Sequence, residues 1–381
     1  MKNITAISIV CAVLSCWAPV SARAAAGKSG GDFLTILHSP RAVGMGETGT
    51  GLYGDLLSAV ALNPAALART GYSEAAFAYN SWLEGITAQQ AAFAYPLGGN
   101  KGVVAASLSM LSVPSISGYD NSGGAASSVD AGDMSVAAHY AVKLQGPWQD
   151  RRVGLFAGAT LKYAREKLDS VSAGTELFDA GVLWISDLPV GTLGLGLSAQ
   201  SIGGGFKFDS VTDAAPAAVR AGASYIVLEA GDPLTFALDL KKPSDSASVF
   251  SAGAEYLVRR TIALRAGYVS GTDLGNGLRF GGGVTIKMLQ FDYAISGYGK
   301  FGAVHRFSLA YKFGKPVDVT PHLSPEQEKA RWKVARAREF MKDNRYYDAL
   351  VELDDALTLD PGYTEALDLM RRVRGLVEVS K

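Results

Sequence analysis

The sequence predicts an all-β transmembrane barrel of about fourteen antiparallel strands, followed by a small α-helical segment. Three observations predict it: apolar residues on every second position through much of residues 72–313, connections that alternate short and long, and a composition rich in glycine and alanine behind an export signal. The period is clearest between Leu278 and Phe313. Leu278, Phe280, Val284 and Ile286 alternate with Arg279, Gly281, Gly283 and Thr285. Leu289, Phe291, Tyr293 and Ile295 alternate with Gln290, Asp292, Ala294 and Ser296, and Phe307, Leu309, Tyr311 and Phe313 with Arg306, Ser308, Ala310 and Lys312. A period of two is a strand with one apolar and one polar face. Lys287-Met288 leaves room only for a tight hairpin between the first two of these strands.

At the N-terminus, Lys2 precedes an apolar run from Ile4 to Trp17, then Pro19 and Ala22-Arg23-Ala24. This reads as a secretory signal peptide over residues 1–24, cut before Ala25. The apolar run is shorter than the roughly 20 residues a membrane-spanning helix needs. Cys11 and Cys16 both lie in the signal, so the mature chain is expected to hold neither cysteine nor disulfide. Removing residues 1–24 takes Lys2 and Arg23 and no acid, leaving 34 basic against 36 acidic residues. A near-neutral chain lacks the basic field that nucleic-acid binding requires.

Residues 25–71 are rich in glycine and alanine and show no strand period. Strands are expected near 72–81, 88–96, 102–111, 133–143, 153–164, 175–185, 192–201, 217–226, 234–241, 249–258, 262–270, 278–286, 289–296 and 304–313. The faces of the first few cannot be told apart because alanine fills both. Even-numbered gaps are mostly short: Leu97–Lys101, Ser186–Gly191, Arg259–Thr261 and Lys287-Met288. Odd-numbered gaps are mostly longer: Ser112–Gly132, Arg165–Gly174, Ile202–Pro216 and Gly271–Gly277. Outer-membrane barrels have this asymmetry, short periplasmic turns against longer outer loops, and a soluble sandwich has no reason for it. An even strand count returns the chain to its starting side, so both flanking segments are expected in the periplasm.

The strand faces point the same way. Tyr79, Tyr95, Tyr140, Tyr163, Tyr225, Tyr256, Tyr268 and Tyr311 close apolar faces near strand ends, as interfacial aromatic girdles do. The opposite faces carry Arg220, Asp239, Glu255, Arg265, Arg279, Asp292 and Arg306, which are expected to face the lumen and pair across strands. Facing lipid, each basic residue would cost about 2–4 kcal/mol at mid-depth.

Pro316, Pro321 and Pro325 mark a linker over 314–324, and residues 325–381 turn to charged, helical sequence. Ala349, Leu350, Leu353, Ala356 and Leu357 form a stripe at helical spacing. Ala337, Phe340, Tyr346, Ala349, Ala356 and Pro361 resemble a tetratricopeptide repeat. One and a half repeats fall short of the three or so that such arrays need, so the helices are expected to meet a periplasmic protein partner or the barrel itself. Phe340, Tyr346, Tyr347 and Tyr363 are the candidate partner surface.

Catalytic and metal chemistry is not indicated. His38, His139, His305 and His322 have no metal-ligand spacing. His139 beside Ser135 and Ser198 can be imagined as a Ser-His pairing on a strand wall, and no sequence signal supports it. Gly44-x-Gly46-x-x-Gly49 spells a dinucleotide fingerprint without its leading strand and following helix. No enzyme and no cofactor is expected.

A resemblance runs through Phe33-Leu34, through Ser39-Pro40-Arg41-Ala42-Val43-Gly44-Met45-Gly46-Glu47-Thr48-Gly49, and through Asn63-Pro64-Ala65-Ala66-Leu67-Ala68. With Tyr79 and Trp82-Leu83-Glu84-Gly85-Ile86, these blocks resemble the PorV/PorQ family within the FadL-like group of outer-membrane proteins, over about residues 32–313. Pro40 stands where that family usually has alanine, and Glu47 where glycine is common. The resemblance implies a fourteen-stranded barrel whose N-terminal segment folds into the lumen as a hatch carrying Arg41, Gly44, Gly46, Asn63, Pro64 and Ala65. It also implies a role in protein export and surface attachment, holding or shuttling secreted cargo with type IX secretion machinery. The alternative is a FadL-like passive channel for hydrophobic compounds such as long-chain fatty acids. A third reading is a membrane anchor that gathers periplasmic partners through its helices. In each, outer-membrane lipid surrounds the barrel.

Overall fold

The computed structural model describes residues 29–379 apart from 99, 119–121, 123, 125–127, 147–151, 189–190, 230–231, 272–274 and 317–324. The signal peptide, its cleavage point and most of the linker lie outside the described residues. The sheet is a closed antiparallel barrel of fourteen strands: β1 (Ser73–Ser81), β2 (Thr87–Pro96), β3 (Val103–Ser112), β4 (Ala131–Gln145), β5 (Gly154–Leu168), β6 (Val171–Leu188), β7 (Gly191–Gly203), β10 (Ala218–Glu229), β11 (Asp232–Pro243), β12 (Val249–Val258), β13 (Ile262–Val269), β14 (Leu278–Ile286), β15 (Leu289–Gly297) and β16 (Ala303–Phe313). β16 pairs with β1, so no edge remains open. A separate hairpin, β8 (Gly205–Phe208) with β9 (Val211–Ala214), sits in the β7–β10 connection.

The side chains sort as the period requires. On β13, Ile262, Leu264, Ala266 and Tyr268 are exposed outward, while Ala263, Arg265 and Val269 are buried inward. Phe236, Leu238, Phe280, Phe291, Phe307 and Leu309 join them on the exterior. The tyrosines fall at two levels: Tyr95 and Tyr140 flank Val104 on neighbouring strands, and Tyr79 lies opposite Phe307 nearer the other mouth. A continuous apolar exterior with tyrosines at two levels is the surface of a transmembrane barrel. Among the described residues no helix is long and apolar enough to cross a membrane.

Two connections differ from expectation. Arg165–Gly174 is not a long loop: β5 and β6 stay paired from Arg165 opposite Gly174 to Leu168 opposite Val171. Asp169, at φ 53°, opens the tight turn that joins them. Strand pairing there needs no apolar face, because this end of the hairpin is polar and carries charged residues, so the alternation that marks the wall elsewhere is absent. The Ile202–Pro216 stretch holds the β8–β9 hairpin.

Helix α1 (Pro40–Gly44) and helix α2 (Leu56–Leu62) lie within the N-terminal segment, with short 3-10 turns at Asp32–Thr35 and Pro64–Arg69. Ser39 caps α1, its hydroxyl accepting from Ala42 N at 3.1 Å, and Pro40 fits the first helical turn. The segment enters β1 at the mouth where β16 ends. Its other end is at the opposite mouth: Ser29 bridges to Ala214 and donates to Asp245 at 2.5 Å, and Gly31 N donates to Glu166 at 2.8 Å. The segment and the chain after β16 meet the barrel at one mouth, as an even strand count requires, and residues 29–72 run through the lumen from there to the opposite mouth. Beyond the barrel, helices α3 (Pro325–Lys342), α4 (Tyr346–Leu359) and α5 (Thr364–Val379) bury Ala337, Ala349, Leu353, Ala356 and Val373 among themselves.

Candidate functional site: the occupied lumen

The segment is seated on the wall by its backbone. Around the interior, one strand after another presents glycine where the segment passes. A Cβ on Gly158 of β5 would strike Pro64 and Ala65, on Gly181 of β6 Asn63, and on Gly196 of β7 the Thr50 carbonyl. Further round, a Cβ on Gly253 of β12 would strike Met45, and on Gly267 of β13 Gly46. Gly158 lies opposite Gly181, and Gly253 opposite Gly267, so the glycines continue across neighbouring strands. Gly46, at φ 72°, could carry no side chain either, since its Cβ would lie 2.5 Å from Ala252 O.

Between the glycines, wall side chains satisfy the segment's backbone groups. Asp239 accepts from Gly49 N at 3.2 Å, Thr50 N at 3.0 Å and Thr50 Oγ1 at 2.6 Å. Ser198 donates to Leu62 O at 2.6 Å, and Ser224 to Gly51 O at 2.7 Å. Asn63 joins segment and wall: its Nδ2 donates to Thr50 O at 2.8 Å and Val182 O at 3.0 Å, and its Oδ1 accepts from Ala65 N at 3.1 Å. Non-helical geometry before Pro64 frees that side chain to cap the following turn.

An ion chain fastens the other side. Arg41 donates twice to Glu255, at 3.0 and 2.7 Å, and once to Tyr53 O at 2.9 Å. Glu255 also accepts from Arg265 Nε at 2.6 Å, and Arg265 Nη1 reaches Asp292 at 2.6 Å. The alternation of sign along Arg41, Glu255, Arg265 and Asp292 is what lets four charges share a buried site. Elsewhere Arg220 donates to Gln200 at 3.0 Å. Arg279 and Arg306 stack on Tyr298 and Trp82, at 5.1 and 4.9 Å from the ring centroids.

The two halves of the lumen differ. Towards β11–β16 the wall is charged. On β1–β3, between the buried polar side chains of Glu74, Asn80 and Gln90, it carries a small apolar patch: Ala76, Ala78, Ala92, Ala94, Val103 and Ala105 pack with Leu56, Leu57 and Val60 of the segment. Among the histidines, His139 bonds to Ser107 at 2.9 Å and Thr160 at 2.8 Å, not to Ser135 or Ser198. Ser224, Gln200, Asn80 and Tyr298 are lumen residues that sequence reasoning missed, and Ser198, considered there only beside His139, serves the segment instead. Single small polar residues on an inward face carry no signal until the segment they serve is in place.

Of the candidate partner surface on the helices, three aromatics are half-buried and one is exposed. Phe340, Tyr346 and Tyr363 pack against the helices' own core, and only Tyr347 of the four stands out, 65 % exposed. The reason is local: Arg345 lies over the Phe340 ring at 4.6 Å, and Tyr363 donates to Glu365 at 2.8 Å, so both aromatics are used within the bundle.

No family model and no curated protein matches the chain. Among solved structures it is similar to TodX, a monoaromatic hydrocarbon channel, at 13 % identity over 73 % of this chain and 100 % of that one, TM-score 0.49. It is similar to a Pseudomonas aeruginosa FadL homologue at 13 % identity over 72 % and 98 %, TM-score 0.42. The Acinetobacter baumannii outer membrane protein Omp33 follows at 11 % identity over 64 % and 100 %, TM-score 0.38.

Proposed function

We propose that the protein is an outer-membrane passage for hydrophobic small molecules, closed at rest by residues 29–71 acting as a hatch. The apolar patch on β1–β3 carries this reading. A wall of Ala76, Ala78, Ala92, Ala94 and Ala105 faces Leu56, Leu57 and Val60 with no ion pair across it, so α2 can shift there without breaking charge contacts. The charged half, fastened through Arg41 and Asp239, stays in place as the fixed side. A hydrophobic molecule entering along the alanines would take over contacts that α2 makes at rest, and a hydrated ion would find no partner there. In this reading the helical tail lies in the periplasm, and Tyr347 with Val351 is the patch left for a protein partner.

The test is uptake of a fluorescent long-chain fatty acid into vesicles carrying the full-length barrel. Ala94→Asp puts a charge on the apolar wall and is expected to cut uptake at least tenfold while the barrel still shows heat-dependent gel migration. Unchanged uptake in that variant would remove the reading. A second reading, the secretion role implied by the resemblance to PorV/PorQ proteins, is favoured by a separate observation: the glycine seat and ion chain suit a barrel that stays shut while holding cargo. Deletion of the protein then leaves uptake intact and strands surface proteins in the periplasm.

A further inference from the structure

Near the mouth where Ser29 lies, the lumen wall holds two guanidiniums without a hydrogen-bonded carboxylate. Arg279 of β14 and Arg306 of β16 are each 1 % exposed. Ser296 of β15 stands between them, opposite Arg279 in register and accepting from Arg306 Nη1 at 2.9 Å. Asn80 of β1 is opposite Arg306 and is fully buried. Both polar atoms of the Asn80 amide, the Arg279 Nε and the Arg306 Nε have no hydrogen-bond partner. Four unpartnered buried polar atoms on neighbouring strands are too many to leave dry, since each has given up its hydration with no hydrogen bond in return. The tilted pair of Trp82 and Tyr298, with ring centroids 5.9 Å apart, covers the two arginines.

Among the described residues the carboxylate that approaches this cluster is Glu47, and its backbone is unusual. Glu47 takes the left-handed conformation, φ 63°, immediately after Gly46. A non-glycine residue there is strained by its own Cβ, and such a conformation persists only where its surroundings enforce it. Its Oε1 stands 3.9 Å from Arg279 Nε, close enough to attract and too far for a hydrogen bond. The same carboxylate acts electrostatically on Arg306, Arg220 and Lys241. Asp239 compensates Arg220, and Asp245 and Asp32 act on Lys241; among the described residues Glu47 is the carboxylate that acts on both Arg279 and Arg306, and the Tyr298 side chain also hydrogen-bonds Arg306.

We propose that Arg279, Arg306, Asn80 and Ser296 form a binding site for an oxyanionic group of phosphate type, with Glu47 as a resident counter-anion that the ligand displaces. Guanidiniums and an amide donor suit such a group because its oxygens accept several hydrogen bonds at once. The site lies on the charged half of the lumen and does not depend on the hydrophobic passage.

The test is calorimetric titration of the full-length barrel in lipid nanodiscs with inorganic phosphate and, separately, with octyl phosphate. Glu47→Gln removes the competitor and is expected to tighten binding about tenfold. The double substitution Arg279→Gln with Arg306→Gln is expected to weaken it at least tenfold, with heat-dependent gel migration confirming the fold. Binding of both probes identifies a free ion as ligand; binding of octyl phosphate alone identifies a headgroup. The proposal is overturned if Glu47→Gln binds no better than the wild type, or if neither probe binds. Should the double variant not fold, the comparison of Glu47→Gln with the wild type decides alone.

Discussion

Glu255 joins two arginines at once, and its neighbours show what each partner is worth. Removing Arg41 leaves Glu255 paired with Arg265, whereas removing Glu255 strips both guanidiniums of their shared carboxylate. Glu255→Ala is therefore expected to cost about 3–5 kcal/mol and Arg41→Ala less, since a buried charge without its partner is the expensive state. Urea-dependent loss of the compact gel band measures both, and equal losses would show that the chain is not shared. The glycine seat offers a similar contrast. Gly196→Ala drives a methyl into the Thr50 carbonyl, a backbone atom that cannot rotate away, and is expected to cost about 1–3 kcal/mol of seating. Gly282→Ala meets only Ala263 O at 3.6 Å and is expected to stay within about 0.5 kcal/mol. Trypsin cleavage at Arg41 or Arg69 in the assembled barrel should rise in the first variant and not in the second.

Elements differ in how readily their sequence announces them. β13–β16 were legible because large apolar residues alternate with charged ones, so polarity alone carries the period. β1 and β2 were placed within a residue, but their faces were not legible, since Ala76, Ala78, Ala92 and Ala94 face a lumen filled by α2 and the exterior is apolar as well. There it is size that alternates, Phe77, Tyr79, Phe93 and Tyr95 outside against alanine inside. The N-terminal segment has no period of its own because the wall dictates its path. The glycines that receive it, scattered from Gly158 to Gly267, converge only when the barrel closes. On the tail, Tyr363 shows an element-scale dependence on pH. Burial, then the hydrogen bond to Glu365 and its charge, push the phenol up to about 12 from 10.0. Folding thus favours the protonated form: this contribution is complete below pH 10 and disappears as the pH rises through 12. Helical circular dichroism of the full chain should fall over that window, and Tyr363→Phe should lessen the fall; an identical fall would assign it elsewhere.

At the scale of the molecule, closure and filling support one another. A closed ring leaves no strand edge to pair with other chains, and its interior groups must find partners inside it. The segment supplies those partners through Asn63, Arg41 and its own backbone, while the exterior offers hydrocarbon a surface of Leu, Phe, Ile and Tyr. Everything proposed for the lumen requires that these two faces see different solvents. Nitroxide labels placed singly at residues 262 to 269, in the cysteine-free mature chain expected here, test this directly in bilayers. Collisions with oxygen should peak at 262, 264, 266 and 268, where Leu264 is 56 % exposed, and fall at 263 and 265, where Ala263 is 4 % exposed. Equal access of a water-soluble nickel complex to outward and inward positions would contradict it.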